Sequence, residues 1–313
     1  MNTLGMKTLG TTVLLSSLLA LSSGACLEQD QRPEGLDRAL PTEQQLSIKL
    51  PEGQSRAVGQ LAEYYTHTRN LTRTLNGGSA VVLRLLHDIV QYPVTSVDGN
   101  QYTWGPWAAG LDPAEYKLVV TESGAGTFEY VLAGRPRNTT GTFEAVVRGT
   151  ALPAASDAEG KGQLLLDFDA AERVNPADND GKGQLTIQYD FVARTLAIDA
   201  VTLENGRPAT AHYTYQEQAD GAGDMTFGLR GNADAGAGLE TLTLRSRWLE
   251  GGEGRGDARV TGGDVGAAEL TASECWDGQF RRVYFIAAAG SLGGTEGNVA
   301  SCAFANADLP PRI

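Results

Sequence analysis

The sequence has few of the residues that mark several large classes of protein. Three cysteines among 313 residues are too few for a disulfide-rich scaffold. Lys and Arg number 25 against 38 Asp and Glu, and the resulting net charge of -13 leaves no basic excess for binding nucleic acid. The chain is nevertheless long enough to bury a sizeable core, either as one large domain or as two smaller ones.

Catalytic and cofactor motifs are also missing from the sequence. It contains neither the Gly-x-Ser-x-Gly elbow of many hydrolases nor a Walker-type phosphate loop. The histidines are few and do not have the spacing of zinc ligands: His67, His87 and His212. We therefore predict a protein that is not an enzyme and that has no cofactor.

Long apolar runs are absent except at the N-terminus. Lys7 precedes an apolar run from Leu9 to Leu21, and small residues follow it as far as Ala25. These are the three parts of a secretory signal peptide, and the run is shorter than the roughly 20 apolar residues that a membrane span needs. We therefore predict that residues 1–25 direct export and are then removed.

The residues at the predicted cleavage site resemble the lipobox of bacterial lipoproteins. Ser23, Gly24 and Ala25 lead directly into Cys26, and in that family this cysteine becomes the acylated first residue. Ordinary signal peptidase would cut the same bond and leave Cys26 unmodified. Lipidation explains the odd cysteine count better, because an unmodified Cys26 would be a lone thiol in an oxidising compartment.

This resemblance implies a lipoprotein of the Gram-negative cell envelope that is attached to a membrane by its N-terminal lipid. Leu27, which follows the cysteine, is compatible with sorting to the outer membrane. The other two cysteines, Cys275 and Cys302, would then remain as a pair. In an exported chain we expect them to form one disulfide that closes the C-terminal hairpin.

The first part of the mature chain is predicted to contain a tether and two helices. Residues 26–54 are polar and carry three prolines, which predicts a lipidated cysteine followed by a polar tether. Residues 55–93 have apolar positions at helical spacing, which predicts a helical pair. We expect Gly77 and Gly78 to separate the two helices and Pro93 to stop the second.

Residues 94–313 show a period of two that is typical of strands with one buried face. Leu185, Ile187 and Tyr189, for example, alternate with Thr186 and Gln188. Residues 157–169 recur in similar form at 178–190, as a turn-plus-strand unit used twice. The predicted fold is therefore mainly β: about a dozen strands in a large antiparallel meander. It would form a curved sheet, half-barrel or barrel, with the helical pair packed on it in one globular unit.

Two local patterns are candidates for ligand or metal binding. Trp104 and Trp107 flank a Gly-Pro turn and could form a stacking platform, or they could seal the end where the helices meet the sheet. Asp178 and Asp180 precede Gly181 as in a calcium loop, but the first and last ligand positions of an EF-hand are not acidic here. A plain hairpin turn is the alternative for this second pattern.

A third pattern, Asp167 and Asp169, is a candidate for catalysis. Two residues along a strand span roughly 6.6 Å, which lies within the separation of the carboxylates in glycoside hydrolases. The alternative is that both carboxylates simply lie on the solvent-facing side of a sheet and have no catalytic role.

Three functions are consistent with these patterns. The first is a non-enzymatic envelope lipoprotein with a structural or interaction-mediating role, whose protein partners the sequence leaves open. The order of elements also resembles the lipoprotein-carrier family, which implies a second function: binding a lipid or other apolar ligand between the sheet and residues 55–92. The third is a hydrolase that uses carboxylates such as Asp167 and Asp169.

Overall fold

A computed structural model describes residues 32–49, 60–108, 110–124, 126–153, 160–204, 207–231, 238–288 and 293–310. The helices in these ranges are α1 (Leu36–Ala39), α2 (Glu43–Leu46), α3 (Glu63–Val90) and α4 (Phe168–Val174). The first eight strands are β1 (Ser96–Asp98), β2 (Gln101–Trp107), β3 (Ala114–Ser123), β4 (Thr127–Pro136), β5 (Glu144–Leu152), β6 (Lys161–Asp167), β7 (Gln184–Asp190) and β8 (Thr195–Glu204). The remaining strands are β9 (Arg207–Glu217), β10 (Gly223–Gly231), β11 (Glu240–Trp248), β12 (Gly254–Gly262), β13 (Glu269–Trp276), β14 (Arg282–Ala288) and β15 (Gly294–Gly297).

Every strand pairs with its neighbours in sequence, and all pairs are antiparallel. The order runs from β1 to β15 in one sheet, and within the described residues β1 does not pair with β15, so the sheet is open. This confirms the predicted antiparallel meander with helices packed on it. The sequence predicted about a dozen strands because the two edge strands, β1 and β15, are short and exposed at every residue, and so carry no alternation.

One face of the sheet carries the hydrophobic core. Its strands contribute alternate residues that are buried, among them Leu164, Ile187, Ile198 and Tyr213. Helix α3 packs on this face, beginning over β11, β12 and β13. The helix ends near β2, where the Trp104 indole Nε1 donates to the carbonyl of Tyr92 at 2.9 Å.

The predicted break in the helical region is wrong. Gly77 and Gly78 lie inside α3, which runs without interruption for 28 residues. Each interior glycine costs about 1 kcal/mol of helix propensity, which tertiary packing can outweigh. Leu71 and Leu86, on either side of the glycines, pack in the same core. No helix in the described ranges is both long enough and apolar enough to cross a membrane.

The predicted tether is wrong for residues 32–49. Leu36, Leu40, Leu46 and Ile48 are all buried in the main core. The prolines in this stretch sit outside the helical turns, and Thr42 begins α2 with a capping box to Gln45. Residues 26–31 and 50–54, the rest of the predicted tether, lie outside the described residues, as do the predicted signal peptide and Cys26.

Glycines inside the strands make room for aromatic rings on the neighbouring strand. A Cβ atom at Gly149 would lie 2.1 Å from Cζ of Tyr130, which is its direct cross-strand partner. The same arrangement occurs at four further cross-strand pairs: Tyr116 with Gly134, Tyr189 with Gly162, Trp248 with Gly223, and Trp276 with Gly254. Part of the high glycine content therefore serves the packing of the sheet.

Candidate functional site

The face of the sheet opposite the core carries an open trough of about 750 Å³. It crosses seven strands, from β5 to β11. Most of its lining residues alternate along each strand with buried core residues, so their side chains lie on the face opposite the core. Three core residues also line it: Tyr189, Leu196 and Tyr215. We call this feature the polar trough, and define it by the two rows of side chains that follow.

The first row runs straight across the strands and is almost uncharged. Each member is the direct cross-strand partner of the next: Thr150, Gln163, Gln188, Ala197, Thr214, Thr226 and Arg245. Six interstrand spacings of about 4.8 Å give the row a length of roughly 29 Å. Five of its seven members end in an amide or a hydroxyl, which can both donate and accept hydrogen bonds.

The second row lies parallel to the first, two residues away from it on each of the six strands from β5 to β10. It contains charges of both signs. Its members are Leu152, Lys161, Asp190, Thr195, Gln216 and Asp224. Lys161 and Asp190 are direct cross-strand partners, so opposite charges lie side by side. Asp190 also accepts a hydrogen bond from the backbone N–H of Ala193 at 2.9 Å.

A fork of charged hydrogen bonds closes one end of the polar trough. Arg245 Nε donates to Asp224 Oδ1 at 3.0 Å, and Arg245 Nη2 donates to Asp224 Oδ2 at 2.6 Å. The third nitrogen, Nη1, donates to Asp308 Oδ2 at 2.6 Å. The hydrogen bond to Asp224 raises the pKa of Arg245, so this end of the trough holds a fixed positive charge that is paired with two carboxylates.

The C-terminal residues lie beside this end, on the same face of the sheet. The predicted disulfide between Cys275 and Cys302 is confirmed, and it fixes the start of a segment, residues 302–310, that we call the C-terminal strap. Main-chain carbonyls of the strap accept hydrogen bonds from arginine side chains of the sheet. Arg255 Nη1 donates to the carbonyls of Phe304 and Ala305 at 3.2 Å each, and Arg259 Nη1 donates to that of Pro310 at 2.8 Å.

Asp257 is the centre of the contacts beneath the strap. Its wholly buried carboxylate accepts from Arg255 Nε at 2.8 Å and from Arg247 Nη2 at 3.0 Å. The Ser273 hydroxyl donates to it at 2.6 Å, and the backbone N–H of Asp308 donates at 3.0 Å. These contacts compensate the burial of the charge, and they bind the strap to β12.

The two tryptophans predicted as a ligand platform do not share an accessible surface. Trp104 is fully buried between α3 and the sheet, as the sealing interpretation predicted. Trp107 is 37% exposed, and its ring lies 6.4 Å from that of Tyr92. Only Trp107 can therefore contact a molecule from outside.

The acidic residues considered as calcium ligands lie in the connection between α4 and β7. Asp178 Oδ2 accepts from Asn175 Nδ2 at 2.9 Å. The same Nδ2 donates to Asp112 Oδ1 at 3.1 Å, so an amide nitrogen stands between the two carboxylates. Within the described part of the chain, no three His, Cys, Asp or Glu residues form a group that could hold a metal ion. Neither Asp178 nor Asp180 therefore belongs to such a group.

The interpretation of Asp167 and Asp169 as neighbours on one strand face is wrong. Strand β6 ends at Asp167, which is the N-cap of α4: its Oδ1 accepts from the backbone N–H of Ala170 at 2.8 Å. Its Oδ2 accepts from Gln184 Nε2 at 3.0 Å. Asp169 lies in the first turn of the helix, so the two carboxylates are not arranged as a catalytic pair on a sheet.

The polar trough was not predicted from the sequence. Gln163 and Gln188 lie in the two copies of the internal repeat, but they occupy different positions in it and become neighbours only through the register of β6 and β7. The alternation of apolar and polar residues along the strands predicted which side chains face solvent. It does not indicate whether that face of the sheet is concave. No protein-family model, curated protein or solved structure matches this chain.

Proposed function

We propose that the chain is a non-enzymatic lipoprotein of the cell envelope that binds an uncharged polar ligand in the polar trough. The predicted signal peptide and the lipobox-like residues before Cys26 support export and anchoring, and Leu27 supports the outer membrane as the destination. The single observation that carries the binding function is the first row of the trough, in which five of the seven strands contribute a glutamine or a threonine.

The chemistry of this row suits a hydroxyl-rich ligand such as a neutral oligosaccharide. Each glutamine amide offers both donors and acceptors, as a sugar hydroxyl requires of its partner. An apolar ligand would leave these groups without hydrogen bonds, which is unfavourable. At about 29 Å, the row could contact several sugar units in succession.

The carboxylates of the trough support binding rather than hydrolysis. Asp190 and Asp224 lie on β7 and β10, three strand spacings apart, which is about 14 Å. Glycoside hydrolases place their two carboxylates at about 5 to 9.5 Å. Asp224 is moreover held by two nitrogens of Arg245.

Contacts on the covered face favour this function over an apolar-ligand carrier. The hydroxyls of Thr68 on α3 and Ser246 on β11 are 2.6 Å apart, so the helix lies directly on the sheet there. The backbone N–H of Tyr64 also bonds Glu274 on β13. Storage of an apolar ligand beneath the middle of α3 stays a prediction, because side chains 74–85 lie outside the described part.

Two measurements test the two parts of the proposal separately. Mass spectrometry of the protein extracted from the envelope should show an acyl mass on Cys26, and a Cys26→Ser variant should lose it. Titration with neutral oligosaccharides, followed by amide chemical shifts, should move signals from β6, β7 and β9.

The matched variants for the second measurement are chosen by position. Gln163→Ala combined with Gln188→Ala should weaken oligosaccharide binding at least about tenfold, since two amide partners are lost. Gln101→Ala removes an exposed glutamine on β2, outside the trough, and should leave binding unchanged. Equal binding by all three proteins would contradict the proposed site.

A further inference from the structure

Three exposed side chains with apolar surface lie where α3 ends and the β2–β3 hairpin turns. Tyr92 follows α3 and is 52% exposed, and its ring lies 6.4 Å from that of Trp107 at the end of β2. Leu111, four residues further on in the hairpin turn, is fully exposed. We call these three residues the aromatic corner.

The described chain enters the fold beside this corner. Arg32, the first described residue, donates from Nη1 to the carbonyl of Val90 at 3.1 Å, at the end of α3. Leu36 and Leu40, which follow it, are buried in the core and fix the entry point. Cys26 precedes Arg32 by six residues, so even a fully extended chain could carry it at most about 21 Å from this point.

We propose that the aromatic corner lies on the surface of the lipid bilayer to which Cys26 is attached; this inference rests on the proposed anchoring. A lipid on Cys26 would bring the bilayer within reach of the corner, which is adjacent to the chain's entry point. Tyr and Trp have an apolar body and one polar group, which suits them to the boundary between headgroups and acyl chains. Leu111 adds an aliphatic side chain whose burial in the bilayer would be favourable.

The same geometry would turn the polar trough away from the membrane. Trp107, Tyr116, Gly134 and Glu144 are successive cross-strand partners, so Glu144 begins β5 at the level of the aromatic corner. Strand β5 ends at Leu152, which lines the trough. Eight residue steps separate Glu144 from Leu152, which corresponds to about 26 Å along the strand. A ligand in the trough would therefore be bound away from the lipid surface.

Tryptophan fluorescence can test this orientation because only one of the four tryptophans is accessible. Trp104, Trp248 and Trp276 are buried, whereas Trp107 is partly exposed. The acylated full chain is bound to vesicles of phosphatidylethanolamine and phosphatidylglycerol that carry bromine near the carbonyl end of the acyl chains. We expect Trp107 emission to shift to the blue and to be quenched, and Leu111→Asp to reduce the quenching.

A relocated reporter provides the matched control. Val192 is an exposed apolar residue in the turn that follows β7, at the end of the sheet opposite the corner. In a Trp107→Phe background, Val192→Trp should stay unquenched on the same vesicles. Trp107→Phe alone should lose the quenched component of the parent protein.

The outcomes separate this inference from the proposed function. If Cys26 carries acyl mass and the protein binds vesicles, but Trp107 is not quenched, the orientation is wrong and the anchoring stands. Equal quenching of Trp107 and of the reporter at position 192 would also overturn the orientation. If Cys26 carries no acyl mass, the proposed anchoring fails, and the orientation fails with it.

Discussion

The carboxylate of Glu274 on β13 accepts a hydrogen bond from the backbone N–H of Tyr64, in the first turn of α3, at 2.5 Å. Its other oxygen accepts from Arg282 Nε, also at 2.5 Å, and the side chain of Glu274 is wholly buried. Ala62, at the N-cap, provides no side-chain hydrogen bond of its own. Glu274 therefore caps the helix from the sheet, where its negative charge also meets the positive end of the helix dipole.

We predict that Glu274→Ala is strongly destabilising. It would leave the N–H of Tyr64 without its partner and Arg282 without its buried counter-charge, a loss of about 3 to 5 kcal/mol in the free energy of unfolding. Urea unfolding followed by circular dichroism measures this change. Glu296→Ala is the control, because Glu296 pairs with the same arginine from a side chain that is 66% exposed. It should cost at most about 1 kcal/mol, and equal losses would contradict the capping role.

Reduction of the disulfide should lower stability without unfolding the sheet. Cys275 and Cys302 close a loop of 27 residues, for which the chain-entropy model gives about 3.5 kcal/mol. The contacts of Arg255 and Asp257 with the strap do not depend on the bond, so the strap should stay in place. Thermal unfolding with and without reductant measures the effect, and Cys302→Ser should reproduce it. An unchanged melting temperature would show that the bond does not stabilise the fold.

The aromatic–glycine pairs predict a position-dependent cost of adding one methyl group. Gly149→Ala would place Cβ against the ring of Tyr130, which is fully buried, and should cost about 1 to 3 kcal/mol by overpacking. Gly294→Ala in β15 is the control, since a Cβ there would have no atom within 4 Å. Melting temperatures of the two variants test this. A loss at Gly294 as large as that at Gly149 would contradict the steric explanation.

The predictions from sequence were right where a single strand or helix determines its own pattern. Alternation along β7 needs only one buried face, and it correctly separated Ile187 and Tyr189 from Gln188. The predictions from sequence were wrong where tertiary packing overrides local preference. Gly77 and Gly78 are poor helix formers, but packing of both halves of α3 holds the helix across them.

The candidate site could not be predicted because it depends on relationships between strands. Gln163 and Gln188 are ordinary solvent-facing residues until the register of β6 and β7 makes them neighbours. The strap is a similar case, because the backbone N–H of Asp308 donates to the carboxylate of Asp257, a residue 51 positions earlier in the chain. The disulfide was predictable, because in an exported chain two cysteines besides Cys26 leave one pairing.

Buried tyrosines predict how stability depends on alkaline pH. The side chain of Tyr64 is partly buried, and this burial, with the nearby charge of Glu274, raises its pKa to about 12. Burial also raises the pKa of four further tyrosines: Tyr130, Tyr189, Tyr213 and Tyr215. Below the ordinary pKa of about 10 these phenols are protonated in both states, so they give no pH dependence there. Above it the unfolded chain releases protons that the folded chain keeps, and stability must fall.

We therefore expect the free energy of unfolding to decrease above pH 10 by about 1.4 kcal/mol per pH unit for each buried phenol. For Tyr64 this window extends from pH 10 to about 12, the raised pKa in the folded state. Absorbance at 295 nm should show most of the phenolate appearing together with the loss of circular dichroism. Tyr64→Phe should make the decrease between pH 10 and 12 shallower, because one of the linked protons is removed. Stability that stayed constant over this range would contradict the burial of these hydroxyls, since protons must then leave both states equally.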